Sequence, residues 1–283
     1  MKTLLFFMLL PLFIYGCTME GSIWLGDDVR ASEKEFKNFS SKQIQRVEII
    51  NSNGFIKTDI SNDDSIEVIF EKWVTGDDEY DAEDNLDNVK IYTEKDSSTR
   101  TLRLVVKYPI HFGGSYGCDV SISLPSSVSV DLKTSNGSIE VYGIENDIEC
   151  QTSNGTIKIE DTKGDAILRT SNGKITVNNH YGEIDARTSN GYIDADVKLP
   201  KNGDCILRTS NDGITLSIPE DTSAMISAST SNNSVKISDL DVSVSHSEKS
   251  SLEGMIGDGK GNIELETSNG SILLKSRDTR RSS

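Results

Sequence analysis

The sequence is short of the residues that build aromatic cores and common active sites. Aromatic side chains make up 6% of the 283 residues, and the chain has 5 prolines, 4 cysteines and 3 histidines. With 22 glycines beside so few prolines, the composition favours many tight turns over a proline-rich disordered chain. The histidines, His111, His180 and His246, stand in no pattern typical of a nucleophile's partner or a metal ligand. We therefore predict each to be a surface or turn residue.

Positive charge is scarce as well, since the chain carries a net charge of −16. So acidic a surface lacks the basic patch that nucleic acids require, and we expect no nucleic-acid partner. The Gly-x-Ser-x-Gly, phosphate-loop and His-Glu-x-x-His motifs are absent, which predicts a protein that is not an enzyme and needs no metal or cofactor. The acidic residues 77–84 lack the ligand spacing of a calcium loop. A solvated insertion with one helical turn is favoured there, and a weak calcium site is the alternative.

The amino terminus indicates export. Lys2 precedes an apolar stretch from Leu4 to Tyr15, which is too short to span a membrane and is typical of a secretory signal peptide. It ends at residues 14–17, Ile-Tyr-Gly-Cys, which resemble the lipobox of bacterial lipoproteins. We predict a lipoprotein signal peptide at residues 1–16, acylation of Cys17 and a lipid-anchored tether at residues 17–42. The alternative is an ordinary signal peptide with an incidental cysteine.

An internal repeat determines the fold class. The tetrapeptide Thr-Ser-Asn-Gly recurs five times, with degenerate copies at Thr209 and Thr230, and the spacings between successive copies are 18, 18, 18, 21, 21 and 37 residues. Apolar residues alternate with polar ones before and after each copy, which is the strand pattern. Each repeat is thus a strand, an Asn-Gly corner and a second strand. Stacked repeats predict an all-β, parallel β-solenoid similar to a single-stranded β-helix, with about 18–21 residues per rung.

The corner residues are predicted to form structural ladders. By strand alternation Thr and Asn point inward. Gly is expected to adopt a positive φ, which interrupts the alternation so that the next strand begins with its apolar residues facing inward. The alternative is that the asparagine row binds a ligand. The 37-residue interval predicts one turn without the signature, and the two 21-residue rungs predict a bulge. The predicted corner ladder consists of Thr134, Asn136, Gly137, Thr152, Asn154, Gly155, Thr170, Asn172, Gly173, Thr188, Asn190, Gly191, Thr267, Asn269 and Gly270.

The regular repeats are predicted at residues 134–276, followed by a polar tail at 277–283. Residues 43–133 read as an irregular amino-terminal β part that caps one end of the solenoid, because an open end exposes an unpaired strand. Alternating runs predict strands at residues 55–60, 65–73, 89–93, 101–107, 118–124 and 127–133.

One exposed row is a candidate binding stripe: the residue before each Thr is Lys133, Gln151, Arg169, Arg187 or Arg208. These basic side chains could dock an anionic envelope polymer, or Glu149 and Asp185 beside them could pair with them as ordinary surface charges. A carbohydrate-cleaving enzyme would need clustered carboxylates. The row that contains Asp131, Glu149 and Asp185 is interrupted by Ile167 and Ile206, which disfavours that reading.

The cysteines after Cys17 are predicted to be unpaired. Cys150 and Cys205 lie three rungs apart, about 14 Å, which exceeds the reach of a disulfide. Both occupy apolar strand positions and are expected to be buried. Cys118 has no evident partner.

Three features together carry a family resemblance. They are the lipobox and tether, the Thr-Ser-Asn-Gly-x-Ile rungs, and the closing pattern of residues 252–259 followed by 263–272. The chain resembles the bacterial putative-adhesin family, a β-strand-repeat domain of unknown function in exported and membrane-attached proteins. The resemblance spans residues 40–276 and implies a β-solenoid and a cell-envelope setting, at an outer membrane, a cell surface or facing a periplasm. It supplies no functional residues.

The function predicted from all this is a non-enzymatic, lipid-anchored envelope protein, adhesin-like or a scaffold and binding module. Its partners would be the membrane, through the lipid anchor, and an envelope polymer or another envelope protein. The alternatives are a component that senses envelope stress and a carbohydrate-active enzyme on a β-helix.

Overall fold

The structure is a computed structural model that describes residues 29–109 and 114–277. The predicted signal peptide, Cys17, His111 and the tail beyond residue 277 lie outside the described residues. No helix among the described residues is long and apolar enough to cross a membrane.

The described part of the chain consists almost entirely of strands, as the alternation of apolar and polar residues predicts. In chain order its elements are β1 Val29–Ser40, β2 Arg46–Ile50, β3 Ile56–Ile60, β4 Ser65–Gly76, α1 Glu79–Leu86, β5 Lys90–Asp96, β6 Thr101–Lys107, β7 Tyr116–Leu124, β8 Ser129–Lys133, β9 Ile139–Tyr142, β10 Ile148–Gln151, β11 Ile157–Glu160, β12 Ala166–Arg169, β13 Ile175–Tyr181, β14 Ile184–Arg187, β15 Ile193–Lys198, β16 Asp204–Arg208, β17 Ile214–Ile218, β18 Ala224–Thr230, β19 Val235–Ser238, β20 Ser243–Ser247, β21 Ser251–Ile256, β22 Gly261–Thr267 and β23 Ile272–Ser276.

The strands form two sheets. Sheet A has the order β1-β4-β7-β3-β9-β11-β13-β15-β17-β23-β19, and sheet B has the order β20-β21-β18-β22-β16-β14-β12-β10-β8-β2-β6-β5. Each regular repeat gives one strand to each sheet, and equivalent residues stack in parallel register. Ile148 lies beside Ala166, for example, and Ile157 lies beside Ile175. One continuous core of buried aliphatic side chains joins both sheets. The predicted parallel β-solenoid is confirmed.

Antiparallel strands close the amino-terminal end. β4 pairs antiparallel with β1 and β7, and β5 pairs antiparallel with β6. The predicted tether is wrong for residues 29–40, which form β1 and pair with β4 from Val29 beside Gly76 to Ser40 beside Ser65. Polar and charged residues dominate β1, so it has no period-two apolar pattern. Its strand conformation comes from pairing with the backbone of β4.

The acidic insertion forms α1 between β4 and β5. The Asp78 side chain accepts a hydrogen bond of 2.8 Å from the Asp81 N–H and caps the first turn. The helix is eight residues long, about two turns rather than the single turn predicted, and it buries Ala82. No group of three or more potential metal ligands occurs among the described residues.

The carboxyl-terminal rung does not stack in chain order. β22 lies between β16 and β18, and β23 lies between β17 and β19. The prediction that the 37-residue interval holds one turn without the signature is therefore wrong. The interval holds β20 and β21, which pair antiparallel beyond β18 at the end of sheet B.

The lengthened rungs keep their register at the corner, so the bulge predicted there is wrong. Arg187 still lies beside Arg208, and Ile193 beside Ile214. The additional residues lie in the turns on the other side of the rung, at residues 199–203 and 219–223. A register shift occurs instead between Val177 and His180 of β13.

The prediction for His180 is also wrong. This side chain is only 1% exposed, and its Nδ1 lies 2.9 Å from the hydroxyl of Thr162 in the preceding rung. Burial lowers the pKa of His180, because it disfavours the charged imidazolium.

Candidate binding surfaces

The threonine row of the Thr-Ser-Asn-Gly corners is buried and ties successive rungs together. The hydroxyl of each threonine donates to a backbone carbonyl of a neighbouring rung, at 2.9 Å from Thr152 to Gly137 and at 3.0 Å from Thr170 to Gly155. The acceptor is a glycine except at Thr267, which donates to the carbonyl of Asp212. Threonines 134, 152, 170, 188, 209, 230 and 267 are all buried. These hydroxyls satisfy carbonyl groups that the corner would otherwise leave without a side-chain donor.

The corner glycines are required because the backbones of successive rungs approach closely there. The prediction that these glycines adopt a positive φ is wrong. None of glycines 137, 155, 173, 191 and 270 has a positive φ. A Cβ on Gly155 would lie 1.8 Å from the carbonyl oxygen of Gly137, and one on Gly173 would lie 1.7 Å from that of Gly155. Any larger residue would therefore push the rungs apart.

The asparagine row points outward, which corrects the predicted inward direction. The amide Nδ2 of Asn172 donates to Oδ1 of Asn154 at 2.7 Å, and Asn190 donates to Asn172 in the same way at 2.7 Å. Asn136 and the asparagines stacked beyond it are exposed. In spatial order the ladder runs through asparagines 53, 136, 154, 172, 190, 211, 269 and 232.

A second exposed row lies beside this ladder. The serine of each corner is exposed, and it takes part in the stacking through its backbone: Ser153, for example, accepts from the Asn172 N–H at 2.9 Å. We call the two rows together the Ser–Asn strip. It consists of the ladder asparagines and of serines 52, 135, 153, 171, 189, 210, 268 and 231.

The predicted basic stripe is a row of neighbours in sheet B, but each cation in it has a carboxylate partner. Lys133 lies 3.1 Å from Asp131, and Arg187 lies 2.9 Å from Asp185. Arg169 also binds Asp185, and Arg208 contacts Glu264 and Glu266. Docking of an anionic polymer stays a prediction, and these ion pairs disfavour it because they leave little unbalanced positive charge.

The carboxylates beside this row are also occupied. Arg46 lies 2.8 Å from Asp131 and 3.3 Å from Glu149, and these two carboxylates raise the pKa of Arg46. A glycosidase needs one carboxyl group protonated as the general acid. One guanidinium engages both carboxylates, so neither is free to contact a sugar, which disfavours a glycosidase site at this position.

The three described cysteines, Cys118, Cys150 and Cys205, are buried and form no disulfide, and burial was predicted for Cys150 and Cys205. Burial raises the pKa of Cys118 to about 12 and also raises the pKa of Cys150 and Cys205. Since the thiolate is the reactive form, none of them is suited to nucleophilic chemistry.

A groove on the outer face of sheet A has no counterpart in the sequence predictions. It has a volume of about 540 Å³ and lies over β1, β4, β7 and β3. Phe36 is 64% exposed and stands opposite Ile69, which is 37% exposed. A signal was present in the sequence: Ile69 is out of phase with the buried Val68 and Phe70 beside it, so an apolar side chain had to face outward.

Two solved structures and one family model are similar to this chain. A protein from Clostridium sporogenes described as a putative cell adhesion protein is 11% identical, and the match covers 87% of this chain and 100% of that one with a TM-score of 0.42. A putative adhesin from Bacteroides fragilis is 9% identical, with 87% and 97% covered and a TM-score of 0.39. No curated protein matches in sequence. The model of the Toastrack DUF4097 family matches residues 115–275, which is more than half of the chain. The chain therefore belongs to the Toastrack DUF4097 family.

Proposed function

We propose that this protein is a non-enzymatic, adhesin-like binding module of the cell envelope, held at a membrane through an acylated Cys17. The observation that carries the proposal is the Ser–Asn strip, in which exposed amides and hydroxyls repeat on every rung in hydrogen-bonded register. Eight stacked rungs at about 4.8 Å give a strip roughly 34 Å long.

The strip is ordered before any partner arrives. Each ladder amide is held by its neighbours, so binding costs little side-chain entropy. One N–H of each Asn154 and Asn172 amide is used within the ladder, which leaves the second N–H for a partner. A repeating row of donors and hydroxyl groups suits an extended, hydroxyl-rich envelope polymer or an envelope protein with a matching polar surface.

Retention of the full chain on isolated cell envelopes tests this proposal, with Cys17→Ser in every protein compared so that the lipid anchor does not itself hold the chain on the membrane. A triple variant, Ser153→Glu with Ser171→Glu and Ser189→Glu, places charge on the strip without touching the ladder amides. We expect it to lose retention. A matched control, Lys163→Glu with Lys201→Glu, changes the charge on the opposite turns and should be retained like the wild type. Equal retention of the strip variant and the wild type would refute the proposal.

A further inference from the structure

We propose that the groove on the outer face of sheet A is a binding site for an uncharged polysaccharide. It lies on a different flank from the Ser–Asn strip, so the two proposals can fail independently. The groove arises because small residues line the middle strand. Ser121 of β7 lies between Ile69 of β4 and Lys57 of β3. Ser123 lies between Glu67 and Asp59 in the same way.

The floor and the walls have dimensions that fit a sugar chain. The two serines form the floor, and the longer side chains on either side form the walls. The walls stand two inter-strand spacings apart, about 9–10 Å. The backbone of β7 pairs with both β4 and β3, so its ladder groups are used within the sheet. A ligand must therefore be recognised through side chains, which disfavours a peptide that adds as a further strand.

One wall is apolar. Phe36 and Ile69 form a cross-strand pair on the solvent face, and Phe36 is 64% exposed. Exposed apolar patches at a concave surface are typical of binding sites. A pyranose ring has a C–H face that packs on an aromatic ring, and it carries hydroxyl groups around its edge.

The remainder of the lining offers donors and acceptors for such hydroxyl groups. Lys57 and Asp59 stand on the opposite wall, and Lys57 has no ion-pair partner among the described residues, in contrast to the paired cations of sheet B. Glu67 accepts a hydrogen bond of 3.3 Å from Asn38. Positive and negative side chains are balanced in the lining, which favours an uncharged ligand over an anionic one.

A second hollow extends the site and provides for more than one sugar ring. It has a volume of about 270 Å³, shares Lys57 and Asp59 with the groove, and reaches Tyr142 and Lys158 on β9 and β11. Tyr142 is 46% exposed. From Phe36 on β1 to Tyr142 on β9 the site crosses four inter-strand spacings, about 19 Å, with an aromatic ring at each end.

Calorimetric titration of the full chain with cellotetraose, xylotetraose, mannotetraose and chitotetraose, and with anionic tetragalacturonate, tests the inference. We expect at least one neutral tetrasaccharide to bind. Phe36→Ala should weaken that binding about tenfold or more, as for an aromatic anchor. Ser121→Tyr should fill the groove and abolish it. Tyr142→Ala should weaken the tetrasaccharide more than the matching disaccharide.

Two controls separate this site from the strip and from loss of folding. Tyr181→Ala removes another exposed tyrosine, and the Ser153→Glu, Ser171→Glu, Ser189→Glu variant alters only the strip; both should bind the saccharide with unchanged affinity. Thermal melts should show every variant folded. Failure of all neutral probes to bind the wild type, tighter binding of tetragalacturonate, or unchanged affinity in Phe36→Ala and Ser121→Tyr would each overturn the proposal. Loss of envelope retention in Ser121→Tyr without any saccharide binding would identify a protein occupant, and would also overturn it.

Discussion

The hydroxyl of Thr170 donates a hydrogen bond of 3.0 Å to the carbonyl oxygen of Gly155 in the preceding rung. This contact recurs along the solenoid and is buried. Thr170→Val keeps the shape of the side chain but leaves that carbonyl without its donor. We expect it to lower the free energy of unfolding by about 1–2 kcal/mol in chemical denaturation. Thr156→Val, at an exposed position, should change it by less than about 0.5 kcal/mol. Equal effects would show that the buried hydroxyl does not hold the rungs together.

Gly155→Ala should be more disruptive. Its Cβ would lie 1.8 Å from the carbonyl oxygen of Gly137, and backbone on both sides must move to relieve the clash. Overpacking of this kind costs about 1–3 kcal/mol. Ser153→Ala in the same corner faces solvent and is the matched control. An unchanged denaturation midpoint for Gly155→Ala would contradict the close stacking of the corners.

The order of the last rungs can be tested by cross-linking. Asn211 and Asn269 are neighbours in the ladder, whereas Asn211 and Asn232 stand two rungs apart. Under mild oxidation Asn211→Cys with Asn269→Cys should form a disulfide, because neighbouring Cα atoms lie within the limit of about 7 Å. Asn211→Cys with Asn232→Cys, about 9–10 Å apart, should not. The reverse result would mean that the rungs stack in chain order.

His180 should make stability depend on pH. Burial lowers the pKa of the folded imidazole, so the unfolded state, with a pKa near about 6.5, takes up a proton first as the pH falls. Stability is therefore lost as the pH drops from the unfolded pKa toward the lower folded pKa. When the pH is lowered from about 7.5 to about 5.5, the melting temperature of His180→Gln should decrease less than that of the wild type. Parallel decreases in the two proteins would exclude this role for His180.

The repeat was sufficient to predict the solenoid, its two strands per rung and its parallel register, because period-two alternation fixes which residues are buried. It was not sufficient at the corners. The chain bends at residues 171–173, so strand alternation stops after Thr170 and Asn172 turns to solvent.

The order of the rungs could not be predicted from the sequence either, because β18 and β22 carry similar apolar faces and either could stack on β16.

The groove was missed for a different reason. Its residues come from four strands that are distant in sequence, and only their register brings Phe36, Ser121 and Lys57 together.

The central claim is that the buried threonines and the close-packed glycines of the corner stabilise the fold, whereas the exposed Ser–Asn strip binds a partner. Paired measurements of unfolding free energy and envelope retention test it most directly, on Thr170→Val and on the Ser153→Glu, Ser171→Glu, Ser189→Glu variant. The account predicts that the threonine variant loses stability and keeps retention, and that the serine variant keeps stability and loses retention. Retention of the folded serine variant at the wild-type level would contradict it.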